Sequence, residues 1–419
     1  MKEIIKFELH KSICKPIVLI TFIAILLMDI FMIFGSVFDG EPTYSMPYNH
    51  EKVEQLQQEQ TSFAGTIDDA WTQHIRDVQD AILSNPANQV STEERKKITQ
   101  ELLNNGLSRE AINSPDNIVR FIKPEVLSDR EFQSLEDPLV ASGFYKSAEE
   151  TGKQVAENYR SVYGGEKGEA LASKAEKMYG YLSNGYKAYY DYNWGWSRLH
   201  AMQTAIPFTI GVFLLIVLSP LFSSEYANRT DSLLLSARYG KNLLIKAKIM
   251  TAFIIAIFSW LLIQIFNAIL IFSLFGIEGA ESFVQNWAVN PSPYAFTFLT
   301  SYFSVTALSF LGMLFLTSMI LLISSLCKKS FISLVIGAVI TLLPTTHLGI
   351  LSGNVARKIL MFFPTKIMIG IDYFKAFDAF YIFGKVIMLP VASAVVAAII
   401  LVVMIIGAYL NFKRHQVVN

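Results

Sequence analysis

PIVLITFIAILLMDIFMIFGSV, running from Pro16 to Val37, contains a single acid, Asp29, and no base. A hydrocarbon core of about 30 Å is crossed by about 20 apolar residues in a helix, so this stretch is long enough to span one. Helix is the expected form, because lipid offers no partners to backbone N–H and C=O groups. Five more such runs crowd the second half of the chain: Thr204–Phe222, Ile249–Phe275, Phe296–Leu326, Phe331–Leu351 and Val386–Leu410. The expected fold is therefore an all-α polytopic membrane protein with six transmembrane helices and a mainly helical extracytoplasmic domain between the first two.

Composition agrees. The chain has 419 residues, of which 52% are hydrophobic and only 17% charged, against about 25% charged in an average soluble domain. A net charge of zero hides an asymmetry. Asp39 to Arg198 holds 26 acidic and 17 basic residues, and the remainder holds 9 and 18. Short connecting segments sharpen the point. Lys2, Lys6, Lys11 and Lys15 precede the first run; Arg229, Arg238, Lys241, Lys246 and Lys248 separate the second and third. Lys328 and Lys329 lie between the fourth and fifth, and Lys413 and Arg414 follow the sixth. With six spans, all of these fall on one side. Gly276–Ala295, on the other side, has no Lys or Arg, although Arg357, Lys358, Lys366, Lys375 and Lys385 break the pattern between spans five and six. The bias places both termini in the cytoplasm and residues 39–200 outside the cell membrane.

Residues 1–15 alternate Ile4, Ile5, Phe7, Leu9 and Ile13 with lysines, which suits an amphipathic helix on the inner membrane surface. Residues 16–38 are the first span; the run is too long for a signal peptide and lacks a small-residue cleavage site. The cysteines, Cys14 and Cys327, fall at inner ends of spans, so the 39–200 domain folds without disulfides. In it, Val53 to Ile82 reads as one long helix ending at Asn85-Pro86. Ser91-Thr-Glu-Glu94 fits a capping box opening a helix that stops near Asn104-Asn105-Gly106. Shorter helical pieces follow at Asp129–Ser134 and Lys146–Tyr163, then Gly164-Gly165 breaks the chain before a helix over Glu166–Tyr192. No alternation is long enough for a strand. Tyr179, Tyr181, Tyr186, Tyr189, Tyr190, Tyr192, Trp194 and Trp196 crowd the approach to the second span, at 201–222. They suit an interfacial belt with domain packing, or a substrate-contacting surface.

Signals of catalysis are missing from the linear sequence. No Gly-x-x-x-x-Gly-Lys-Ser/Thr phosphate loop and no Gly-x-Ser-x-Gly elbow occur. His10, His50, His74, His200, His347 and His415 are scattered without metal-ligand spacing. The chain is expected to be non-catalytic by itself, with no cofactor or metal of its own and no nucleic-acid partner. Within the spans, Asp29 is costly in lipid and has a pathway or helix-pairing role or a depth shallow enough to reach headgroups. Gln264 and Asn267 share a face suited to interhelical hydrogen bonds.

The most specific short segment is 223–248, Ser-Ser-Glu-Tyr-Ala-Asn-Arg-Thr-Asp-Ser-Leu-Leu-Leu-Ser-Ala-Arg-Tyr-Gly-Lys-Asn-Leu-Leu-Ile-Lys-Ala-Lys. An acid at a span exit, a leucine triplet and a cluster of bases suit either a helix entering a partner's groove or a loop held at anionic lipid. Here the chain resembles the membrane subunits of type-2 ATP-binding-cassette exporters. Their loop after the second span reads roughly Glu…Gly-Thr…Leu-Leu…Pro-x-Ser/Arg…Lys. Glu225, Thr230, Leu233, Leu234, Arg238 and Lys248 stand at matching places; Arg229 replaces the common glycine, and Ala237-Arg238 lacks the proline. The large insert is similar to that of the Gram-positive subgroup. Residues 249–410 would then hold spans three to six. Around Phe362-Phe363-Pro364, a re-entrant outer segment at about 352–385 is implied, with 411–419 as a cytoplasmic tail.

The resemblance implies a permease that moves an amphipathic peptide, antimicrobial or lipid-like substrate out of the cell. It implies a second permease subunit, identical or related, and two separate ATPase subunits that bind ATP and Mg. The residues implied to couple to those ATPases are Glu225, Arg229, Thr230, Leu233, Leu234, Leu235, Arg238 and Lys241. The alternative is a membrane receptor or immunity protein whose extracellular domain binds a peptide or antibiotic. Six spans exceed what an anchor requires.

Overall fold

The computed structural model describes residues 1–34, 50–112, 117, 119–127, 130–230, 240–285, 292–342, 344 and 358–414. It is 80% helical. In chain order the helices are α1 (Lys2–Ile13), α2 (Pro16–Phe34), α3 (His50–Ser62), α4 (Asp69–Ser84), α5 (Thr92–Asn104) and α6 (Arg109–Ile112). Then come α7 (Pro124–Leu127), α8 (Arg130–Tyr163), α9 (Gly165–Asn184), α10 (Trp194–Leu218) and α11 (Pro220–Ala227). The last five are α12 (Ile245–Phe275), α13 (Phe298–Leu326), α14 (Ser330–Leu342), α15 (Pro364–Ile369) and α16 (Leu389–Arg414). Among the described residues there are also two antiparallel strand pairs: β1 (Gly65–Thr66) with β2 (Tyr189–Tyr190), and β3 (Ala379–Ile382) with β4 (Lys385–Met388).

Among the described residues, five helices are long and apolar enough to cross a membrane: α2, α10 with α11, α12 with the turn before it, α13 and α16. This agrees with an all-α polytopic membrane protein. Burial patterns make the same case. Ile20 and Leu27 of α2, Phe258 and Ile269 of α12, and Val395 and Ile399 of α16 are all exposed, and contiguous apolar faces of this kind are untenable in water. At the centre, α10 and α13 bury most of their length, and Ile210, Leu214, Leu218, Ile263, Leu316 and Ile320 belong to one continuous core. The fifth apolar run is helical over Ser330–Leu342; beyond it only Pro344 is described before residue 358.

The insert caps one end of this bundle; Leu102, Ile112 and Phe121 form a small core of its own, but its larger core is shared. The α8–α9 hairpin packs Tyr145, Leu171, Ala175 and Tyr179 together with Phe283, from the α12–α13 connection, and Phe377 and Ala379, from just before α16. Hydrogen bonds repeat the pattern: Tyr145 Oη donates to Gln285 Oε1 at 2.6 Å, Tyr186 Oη to the Phe296 carbonyl at 3.1 Å, and Tyr381 Oη to Glu166 Oε1 at 2.7 Å. Burial pushes the Tyr179 phenol up to about 12. Of the aromatics before and at the start of α10, Tyr190, Tyr192 and Trp196 are buried in packing while Tyr181 and Tyr189 are exposed. Tyr192 Oη donates to the Phe275 carbonyl at 2.7 Å and Trp196 Nε1 to that of Ile277 at 2.8 Å, tying α10 to the end of α12.

Several local expectations need correction. The helix expected over Val53–Ile82 is two helices. Gly65 has no room for a Cβ, which would stand 2.8 Å from the Trp71 ring, and Asp68 restarts the helix by accepting from the Trp71 amide at 2.7 Å. The pieces expected at 129–134 and 146–163 fall, from Arg130 on, in one helix, α8, with Pro138 inside it. The buried stripe of Phe132, Leu135, Ala141, Tyr145 and Ala148 runs straight through the proline, so packing holds the two halves in line. The helix after Gly164-Gly165 ends at Asn184, not at Tyr192. Short strands do occur, and Val386 lies in β4, not in a span. The capping box at Ser91 and Glu94 and the break at Gly164-Gly165, with φ of 59° and 51°, are as expected.

Candidate functional site

At the bundle end opposite the insert, three helices converge on one buried ammonium. Lys248, in the first turn of α12, is 1% exposed and lies 2.8 Å from both Glu8 of α1 and Glu225 of α11. Its Nζ also donates to the Leu221 carbonyl at 3.3 Å. Lys11 of α1 reaches the same Glu225 oxygen at 2.6 Å, and Thr230 donates to the other Glu225 oxygen at 2.6 Å. Both carboxylates are buried. Charges withdrawn from water persist only when paired and fully hydrogen-bonded, and removing one partner of such a set costs about 3–5 kcal/mol. The cluster therefore fixes the positions of α1, α11 and α12 relative to one another.

What places Glu225 there is a break in the second span. Pro220 carries no amide hydrogen and cannot continue the ladder from α10. Ser324 of α13 covers the gap: its Oγ accepts from the Phe222 and Ser223 amides at 3.0 and 3.2 Å and donates to the Ser219 carbonyl at 2.7 Å. Ser223 Oγ donates to that carbonyl at 2.7 Å and stands within hydrogen-bond distance, 3.1 Å, of the Ser330 hydroxyl of α14. Tyr226 Oη donates to the Ser325 carbonyl at 3.1 Å, as does Asn411 of α16 at 2.6 Å. The short helix α11 is thus held by α1, α12, α13 and α14, and α16 is tied to the same turn of α13.

Of the residues singled out in the 223–248 segment, Glu225 and Thr230 meet in this cluster. Arg229 holds φ at 54°, the left-handed region that favours glycine. Leu233, Leu234, Leu235 and Arg238 lie outside the described residues. Lys241 falls within the wide helical turn Gly240–Leu244, with its backbone alone described. Sequence reasoning missed Glu8 and Lys11 as partners. The available signal was an acid, Glu8, within a lysine-rich amphipathic helix.

A second polar layer lies within the bundle. Asn267 Nδ2 donates to Asp29 Oδ2 at 2.9 Å, joining α12 to α2, and Asp29 is fully buried. Gln203 of α10 and Gln264 of α12 exchange amide hydrogen bonds at 3.1 and 3.2 Å, and Tyr302 of α13 donates to Gln264 Oε1 at 3.3 Å. One turn away, His200 Nε2 pairs with Ser301 Oγ at 3.0 Å. Asp29, Gln264 and Asn267 all join helices. Gln203 and His200, overlooked in the sequence, complete the layer. Among the described residues, no group of three or more His, Cys, Asp or Glu side chains is placed to hold a metal ion.

No family model matches this chain, and neither a curated protein nor a solved structure matches it.

Proposed function

We propose that this chain is the membrane-spanning permease subunit of a type-2 ATP-binding-cassette exporter in the cell membrane. It has six spans, both termini cytoplasmic and residues 39–200 extracellular. It moves an amphipathic peptide, antimicrobial or lipid-like substrate, using ATP and Mg bound by two separate ATPase subunits and working beside a second permease subunit. The observation that carries this reading is the buried Glu8–Lys248–Glu225 cluster. A segment that relays force from outside the bundle needs a rigid root in several spans, and the root of the 223–248 segment is fixed to α1, α11 and α12. In this reading Leu233–Leu235 engage the ATPase, and α11 passes its motion to the spans. The placement of α15 supports a re-entrant segment: a Cβ on Gly312, near the middle of α13, would stand 2.6 Å from the Met368 amide nitrogen.

A second reading, a receptor or immunity protein that binds a peptide or antibiotic, has one observation in its favour. The insert's core includes residues next to α12 and α16, so a ligand bound there would act directly on the spans. The two readings part in a single experiment. The chain is purified from native membranes with its companions, alongside a variant with Leu233, Leu234 and Leu235 replaced by Asp. The exporter reading expects an ATPase to co-purify with the first and not with the second. Equal retention in both, or no ATPase with either, rejects it.

A further inference from the structure

The charge cluster at the root of α1 does not balance. Three ammonium groups gather there, with the charges of Lys11 and Lys248 acting on Lys15, against two carboxylates, Glu8 and Glu225. Those carboxylates are committed: Glu8 to Lys248, and Glu225 to Lys248, Lys11 and Thr230. Lys15 is half-buried, and no described carboxylate lies within ion-pair distance of it. Burial lowers its pKa first, and the neighbouring charges of Lys11 and Lys248 lower it further, with Glu8 and Glu225 acting in the opposite sense. An ammonium so placed lacks an anion.

Its position says where the anion comes from. Only Cys14 and Lys15 separate α1 from α2, and the Lys15 amide closes a tight turn on the Ile13 carbonyl at 2.8 Å. Lys15 therefore sits where the apolar span begins, at the depth of lipid headgroups. Around it the apolar side chains Ile13, Ile17, Leu19 and Ile20 are exposed, a surface suited to acyl chains and not to water. We propose that Lys15, with Lys11 beside it, forms a binding site for the phosphate of an anionic phospholipid in the leaflet against which α1 lies. A phosphate diester supplies the missing charge and the acceptor oxygens, while its chains cover the exposed face of α2. The bound lipid would complete the cluster that anchors α11. This site does not depend on the exporter reading.

The test is lipid retention by the full chain, purified with its native companions, in native mass spectrometry. Phosphatidylglycerol and phosphatidylcholine are supplied in equal amounts. The expected result is a preference for phosphatidylglycerol that Lys15→Gln lowers about fivefold. Lys15→Arg should keep the preference, and Lys2→Gln, which removes the same charge from the far end of α1, should leave it unchanged. Equal losses in Lys15→Gln and Lys2→Gln would mean diffuse attraction and overturn the site. Displacement of the lipid by millimolar inorganic phosphate would assign the site to a soluble anion and overturn the lipid assignment. Should Lys15→Gln fail to fold, loss of the preference in a folded Lys15→Arg would also count against it.

Discussion

Replacing Lys248 by Met removes the positive charge on which two buried carboxylates depend. Glu8 and Glu225, each 2.8 Å from the ammonium and almost fully covered, would be left facing each other in the bundle. Stranding charge in this way costs about 3–5 kcal/mol, a large share of the about 5–15 kcal/mol that holds a typical protein folded. The same physics predicts a rescue. Glu8→Met and Glu225→Leu, added to Lys248→Met, replace the three buried charges by apolar side chains, leave only the half-exposed Lys11 without its partner, and should recover most of the loss, since an apolar replacement of a buried ion set is often close to neutral. Lys11 is a different case. With 42% of its side chain exposed, its loss should cost only about 0–1 kcal/mol. Unfolding of the purified chain in mixed micelles, followed by circular dichroism against the mole fraction of denaturing detergent, reads all three variants. Lys248→Met within about 0.5 kcal/mol of the parent, the range of an ordinary surface substitution, would refute the keystone role. So would a triple variant no better than the single one.

The Ser324→Ala variant leaves the Phe222 and Ser223 amides and the Ser219 carbonyl without the hydroxyl that serves them, and should lose about 1–3 kcal/mol in the same assay. A double-mutant cycle of Gln203→Leu and Gln264→Leu should return a coupling of about 0.5–2 kcal/mol, and additive losses would dismiss the amide pair. Gly312→Ala should separate α15 from α13 at a cost of about 1–3 kcal/mol, read as a lowered melting temperature. In the insert, hydrogen bonds from Arg160 hold the Glu169 carboxyl below its ordinary value. A lowered folded-state pKa stabilises above the unfolded value of about 4.3 and is lost as pH falls through the folded value. Melting of the insert should therefore drop on acidification below about pH 5, and less steeply in Arg160→Gln.

How much of this was legible in the sequence follows from the range of each interaction. The long helices were readable because hydropathy is local: Phe298–Leu326 and Ile245–Phe275 fall within a few residues of the runs that suggested them. The capping box at Ser91 and the break at Gly164-Gly165 are equally local. The breaks and joins in the insert were not. Continuity through Pro138 rests on a buried stripe whose partners lie on other elements, and four-residue strands such as Ala379–Ile382 are too short to show a period. The charge cluster was half readable. Glu225 drew notice as an acid at a span exit, but Glu8 and Lys248 are 240 positions apart, and no local pattern announces such a pair. The helix-pairing amides were seen on α12 and missed on α10, where Gln203 sits in a long run of apolar neighbours.

The exporter account requires the 223–248 segment to face the cytosol and the insert to face outward. Cys14 and Cys327 are replaced by Ser, and a single cysteine is placed at Arg238 or, in the insert, at exposed Ser147. Each is then probed on intact cells with a membrane-impermeant thiol reagent. The account predicts labelling at Ser147→Cys in intact cells, and labelling at Arg238→Cys only after the membrane is opened. Labelling of Arg238→Cys in intact cells would contradict it.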